Sequence, residues 1–184
     1  VKGLADPDEL ESFVEFCKER ALQTFNQRGR VTPHALVLGT VHPDLGELEE
    51  AVAFPCVPVE MIQGERERAG FIDFVRRLAL DTKAVGVIFV TEVWFACAIA
   101  DDIAAVRRMC ERVDGRQLED LDDRHEGILI SVDHLAYGHT VRWIASVIRD
   151  ANGRGRATRF ETVPPEDTIV RDRFSEAFPR ELWQ

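Results

Sequence analysis

The chain lacks the features that name a chemistry at sight. Its four cysteines, Cys17, Cys56, Cys97 and Cys110, lie far apart with no C-x-x-C pair, so they read as reduced thiols packed in the core of a cytoplasmic protein. No apolar run approaches the length of about 18 to 20 residues that spans a bilayer, and the opening VKGLADPDEL has no basic-then-apolar pattern. The expectation is therefore an unexported protein with no membrane partner. Neither G-x-G-x-x-G nor G-x-x-x-x-G-K-[ST] occurs, which removes the usual dinucleotide and P-loop signatures. Ser131, Ser146 and Ser175 sit in strand or helix contexts without a G-x-S-x-G elbow, so a serine hydrolase has no local support. Basic residues are also in deficit. With 23 Lys and Arg against 33 Asp and Glu, the formal net charge of −10 opposes generic binding to nucleic acid and makes it the less favoured partner.

What is present is an α+β pattern. Asp6 as N-cap and Pro7 at the first helical position open a helix over about 6–28, with Leu10, Phe13, Val14, Cys17, Ala21 and Phe25 as its apolar stripe and Gly29 as its stop. His34 to Val41 reads as a strand closed by a turn at His42, Pro43, Asp44 and Gly46, and Phe54 to Ile62 as an edge strand because it carries Pro55 and Pro58. A helix from Glu65 to Asp81 precedes Ala84–Phe95, AVGVIFVTEVWF, an apolar run suited to a central strand buried on both faces. A further helix is expected after Trp94, then a polar loop over Asp114 to Glu126. Three antiparallel strands follow, Gly127 to His134, Thr140 to Arg149 and Arg156 to Val163, and a last helix over about 166–178. The fold expected is an antiparallel or mixed sheet of about six strands ending in a three-stranded meander and packed against helices, in one domain spanning 1–184.

Glu92 is the residue that most needs explaining. On a period of two it shares a face with Ile88, Val90 and Trp94, so a carboxylate follows two core positions at the end of the innermost strand. Glu119, Asp120, Asp122, Asp123, His125 and Glu126 form an acidic run that could fold over this end. A catalytic reading would use Glu92, Asp123, His125 and Glu126, with Asp122 as a further ligand to Mg²⁺ or Mn²⁺. The plainer reading is a solvated loop partnered by Arg116 and Arg124, with Glu92 bonded to an arginine, Arg124 above all, or to backbone donors. His134 and His139 flank a hairpin beside Asp133 and could share a metal if a third ligand such as His34 or His42 approached; a plain exposed hairpin tip is the alternative. Arg142, Arg149, Arg154, Arg156 and Arg159, interleaved with Trp143 and Phe160, make the second hairpin locally positive. Arg149, Arg154, Arg156 and Arg159 are the candidates for holding an anion, unless they stand on a solvated face paired with acids elsewhere.

The segments VIFVTEVWF, LEDLDDRHEGILISVDH and VRWIASVIRD with NGRG resemble a loose group of small, uncharacterised bacterial and phage α+β proteins. That group has a strand-end [ST]-E-x-W motif, matched by Thr91, Glu92 and Trp94, and a following D-R-x-E motif, matched by Asp123, Arg124 and Glu126. The resemblance covers roughly residues 84 to 160 and implies no activity. Without a strong catalytic motif, the leading expectation is a binding or assembly protein that associates with itself and needs no cofactor. A divalent-metal-dependent hydrolase or nuclease and an anion-binding or nucleic-acid-binding hairpin are the alternatives.

Overall fold

In the computed structural model, which describes residues 2–58, 65–95 and 125–163, the apolar segment Ala84–Phe95 lies in the middle of an eight-stranded sheet. The elements in chain order are β1 (Lys2–Gly3), α1 (Pro7–Arg28), β2 (His34–His42), β3 (Gly46–Cys56), α2 (Glu65–Asp81), β4 (Ala84–Phe95), β5 (His125–His134), β6 (Thr140–Arg149), β7 (Gly155–Ala157) and β8 (Glu161–Thr162). The sheet order is β1-β3-β2-β4-β5-β6-β7, with β8 also on β6. Every pairing is antiparallel except the two-residue contact of β1 with β3.

The alternation in β4 divides the core into two layers. Ile88 and Val90 face α1, joining Leu38, Ile128, Ile130, Val132 and Ala145 beneath Leu10, Val14, Cys17, Ala21 and Phe25. Val87 and Phe89 face the other way, against Ala35, Val37 and the Phe71, Val75 and Ala79 stripe of α2. Side chains that point to opposite faces on a period of two require cover on both, which is why this strand has almost no polar position before Thr91 and Glu92. Helix α1 begins as its sequence dictates, with Asp6 Oδ1 accepting from the Asp8 N–H at 3.0 Å, and it stops at Gly29, whose N–H donates to the Phe25 carbonyl at 2.7 Å. The thiols of Cys17 and Cys56 are free, one in each layer, and burial pushes both up to about 11.

The structure shifts two strands from their expected places. The strand expected over 54–62 is β3, which starts at Gly46 and forms a tight hairpin with β2; Pro55 lies beyond the two residues covered by β1, where a missing N–H is tolerated. The last meander strand is split into β7 and β8, because the chain leaves the ladder around Arg159 and Phe160 and returns. The meander itself is present, and β1 adds a strand the sequence did not advertise. The helices expected after Trp94 and over 166–178 lie outside the described residues, as do Cys97, Cys110, the acidic run from Glu119 through Asp123, and Arg124. Among the described residues no helix is long and apolar enough to cross a membrane.

Candidate functional site

Glu92 follows Val90 on the α1 face and lies half-buried near the end of β4, where the chain leaving α1 passes over it. The backbone N–H of Val31 donates to Glu92 Oε1 in a short bond, tying the α1–β2 connection to the sheet. The pairing of β4 with β5 sets Trp94 opposite Glu126, so Glu126 is the diagonal neighbour of Glu92 on the same face. Arg149, on β6 two residues beyond the Val147 that pairs with Glu126, donates Nε to Glu126 Oε2 at 2.6 Å and Nη2 to Oε1, a two-pronged bond, while its Nη1 donates to the Gly153 carbonyl at 3.0 Å. The bond to Glu126 raises the Arg149 pKa further.

Burial raises the pKa of Glu92, and the Glu126 carboxylate adds to that rise; the Val31 N–H, Arg149 and Arg30 pull the other way. Glu92 is thus a reluctant anion in a backbone bond. Arg149, a candidate for holding an anion or for pairing with an acid, is bonded to Glu126. The anticipated partner Arg124 is outside the described residues, and so are Asp122 and Asp123, two of the expected metal ligands. His125 opens β5 next to Glu126 and alternates to the opposite face. Among the described residues no three His, Cys, Asp or Glu side chains are grouped to hold a metal ion, so the residues seen do not by themselves fit Mg²⁺ or Mn²⁺.

His134 is at the other end of β5, about 30 Å along the strand from His125. It is buried, and both ring nitrogens are engaged: Nε2 donates to the Leu4 carbonyl at 3.0 Å and Nδ1 accepts from the Ala136 N–H at 3.0 Å. Burial lowers its pKa, with the Leu4 bond opposing. Its partner in the expected metal pair, His139, is exposed in the hairpin loop, and a doubly bonded imidazole offers no lone pair to share with it. His34 Nδ1 lies 2.9 Å from the Thr32 carbonyl, and His42 Nδ1 accepts from the Asp44 N–H at 3.1 Å at the opposite end of β2. These imidazoles cap local backbone and do not converge. Gly86 faces His134 across the β4–β5 pair, and a Cβ there would lie 2.5 Å from His134 Cδ2, so the bare glycine is what admits the ring.

The arginine ribbon packs beside the end of α1 through its small residues. The segment Arg154-Gly155-Arg156 is matched by a second Arg-Gly-Arg, residues 28–30, at the end of α1. The Phe25 ring lies against Gly155, where a Cβ would meet Cζ at 2.9 Å, and the Ala157 N–H donates to Asn26 Oδ1 at 3.2 Å. These contacts set Gly155 and Ala157 on the α1 face, so Arg156 between them points to the other; Arg28, Arg30, Arg154 and Arg156 are all exposed, and among the described residues none is bonded to a carboxylate. Arg159 is exposed as well, 3.7 Å from Glu161, whereas Arg142 is partly covered. The repeated tripeptide is the signal in the sequence that points to Arg28 and Arg30. On the α2 face Ser131 Oγ is buried without a hydrogen-bond partner among the described residues. Comparison with protein-family models, with curated proteins and with solved structures gives no match for this chain.

Proposed function

We propose that this chain is a binding and assembly protein that associates with itself, and that it performs no catalysis. One observation carries the reading: the two carboxylates at the end of the central strand hold the fold together, Glu92 through the Val31 N–H and Glu126 through Arg149. A general acid or a metal ligand needs a lone pair directed at an opening, whereas Glu92 Oε1 is directed at backbone and both Glu126 oxygens at a guanidinium. The free thiols of Cys17 and Cys56 support a reducing compartment, the cytoplasm. The group of small bacterial and phage proteins that it resembles carries no activity that would compete with this role.

The test is sedimentation velocity across a hundredfold range of concentration, together with a metal titration followed by melting. Concentration-dependent association is expected, with Tm unmoved by Mg²⁺ or Mn²⁺. A strict monomer would sink the proposal, and a metal-dependent rise in Tm that Glu92→Gln abolishes would replace it with the hydrolase reading. A second reading, binding of an anionic ligand or nucleic acid, is favoured by the four exposed arginines and opposed by the net charge of −10.

A further inference from the structure

The first residues of the chain are held to the sheet by very little. Strand β1 pairs with β3 over two residues, Lys2 with Glu50 and Gly3 with Ala51, and the Leu4 N–H continues the ladder to the Ala51 carbonyl at 3.2 Å. The Leu4 side chain is partly buried against the α1 layer. The segment is further tied by a side chain 130 residues away, His134, whose Nε2 donates to the Leu4 carbonyl at 3.0 Å. The same ring is fixed on its other side, where Nδ1 accepts from the Ala136 N–H at 3.0 Å, and it is wedged over Gly86, where a Cβ would lie 2.5 Å from Cδ2.

This pattern of bonds accepts one protonation state. Nδ1 must be bare to receive the Ala136 N–H, so the ring is the neutral tautomer with its proton on Nε2. A proton added at Nδ1 sets a second donor against the Ala136 N–H, while Gly86 and the Leu4 bond hold the ring in place against it. The charged ring is relieved by moving out to water, and the Leu4 carbonyl then loses its donor. We propose that His134 is a proton-operated latch: the neutral ring holds residues 2–5 on the sheet, and protonation releases them while the rest of the fold stays intact. Among the described residues β1 is the only strand on the outer side of β3, so release uncovers that edge at Glu50 and Ala51, where a further strand can pair. Opening is local because the segment gives up two ladder residues and one partly buried apolar side chain, whereas Leu10, Val14 and Phe25 keep α1 on the sheet. The titratable and charged groups of the elements around the ring are Lys2 on β1, Asp6, Asp8 and Glu11 at the start of α1, Glu50 on β3, Asp133 on the opposite face of β5, and Tyr137 and His139 in the hairpin loop; the β4 stretch beside it, Val85 to Val87, has none. Burial is what lowers the ring's pKa, and the Leu4 bond opposes it.

The latch concerns a chain's own segment and holds for a monomer and an assembly alike, so it goes beyond the role proposed above and its failure leaves that role standing. The experiment is hydrogen exchange of the full chain, read amide by amide between pH 7 and 5 as protection factors, with the direct effect of pH on exchange divided out. At pH 7 the Leu4 amide is expected to be far less protected than Ile130 in the middle of β5, and below the ordinary imidazole value of 6.5 its protection falls by up to about tenfold per unit of pH. Equal protection at Leu4 and Ile130 means that the segment leaves only when the whole fold does, and overturns the latch. Protection at Leu4 that ignores pH, or a loss confined to the Ala136 amide, overturns it as well. All three readings come from the parent and need no variant to fold. In His134→Gln, which has no proton to gain in this range, protection at Leu4 becomes flat with pH; a slope that survives there and disappears in His139→Gln assigns the effect to the exposed imidazole and overturns the proposal.

Discussion

The two ends of the sheet manage their ionisable groups in opposite ways. Around Gly86 and His134 the solution is exclusion: the imidazole is 1% exposed, neutral and bonded at both nitrogens, and the neighbouring Asp133 is bonded to Thr140 Oγ1. Around Glu92 the solution is compensation, with a half-buried carboxylate in the field of Glu126, Arg149 and Arg30 and a backbone N–H as its closest partner. A buried neutral group bonded on both sides fixes geometry, while a partly solvated charge cluster leaves room for rearrangement and for partners. The two ends respond to pH with opposite sign. His134, depressed from 6.5, contributes stability that is present above that value and is lost as pH falls through its folded pKa. Glu92, raised from 4.5, contributes stability that is complete below that value and is lost as pH rises through its folded pKa.

The sharpest way to break this contrast is at Gly86. Gly86→Ala places a Cβ 2.5 Å from His134 Cδ2 and 2.7 Å from the Asp133 carbonyl, and a backbone oxygen cannot step aside as the end of a flexible side chain can. We expect a loss of about 3 kcal/mol or more, seen as a drop in Tm of about 6 °C or greater in a thermal melt. His134→Ala follows with about 2–3 kcal/mol, because it empties a filled site and leaves the Leu4 carbonyl and the Ala136 N–H without their partner. Its distinguishing readout is early proteolysis near Leu4, the segment that the imidazole ties down. In that variant the loss of stability between pH 7 and 5 also becomes shallower than in the parent.

Much of this molecule was legible in its sequence, and what was not has physical causes. Helix α1 was readable from its Asp6-Pro7 start to Gly29 because capping is local, and β4 because burial on both faces leaves no polar position to blur the pattern. The shift of β3 shows the limit: Gly46–Cys56 carries exposed acids, Glu47, Glu49 and Glu50, so the hydrophobic signal starts late and the expected strand falls at 54–62. Backbone donors are one of the two partners expected for Glu92, but which N–H it meets is not legible, since one that arrives from 61 residues away has no side-chain signature. Whether Arg149 holds an anion or pairs with an acid stays open in the sequence because its bond to Glu126 depends on the β5–β6 register.

At the compensated end the changes are smaller. Glu126→Ala removes both prongs of the Arg149 bond at a site where the guanidinium stays largely wet, and it also removes a repelling neighbour of Glu92. The two effects oppose each other, and a net loss of about 1 kcal/mol is expected in denaturant melts. High salt should blunt that difference while leaving the His134→Ala deficit intact, which would separate compensation from exclusion in one pair of measurements.

The smallest effect is also the one with the unexpected sign. Glu92→Gln keeps an oxygen to accept from the Val31 N–H and removes the charge that burial and Glu126 disfavour, so the variant should be the more stable at pH 7, by no more than about 1 kcal/mol or roughly 3 °C in Tm. The advantage should vanish below pH 4.5, where the parent carboxyl is already protonated. Glu92→Ala must move the other way, since it leaves the Val31 N–H without an acceptor on the sheet, and a loss of about 1–2 kcal/mol is expected. If Glu92→Gln instead lowers Tm, the ionised carboxylate is worth more to the fold than its burial costs, and Arg149 and Arg30 then outweigh burial and Glu126 at this rim.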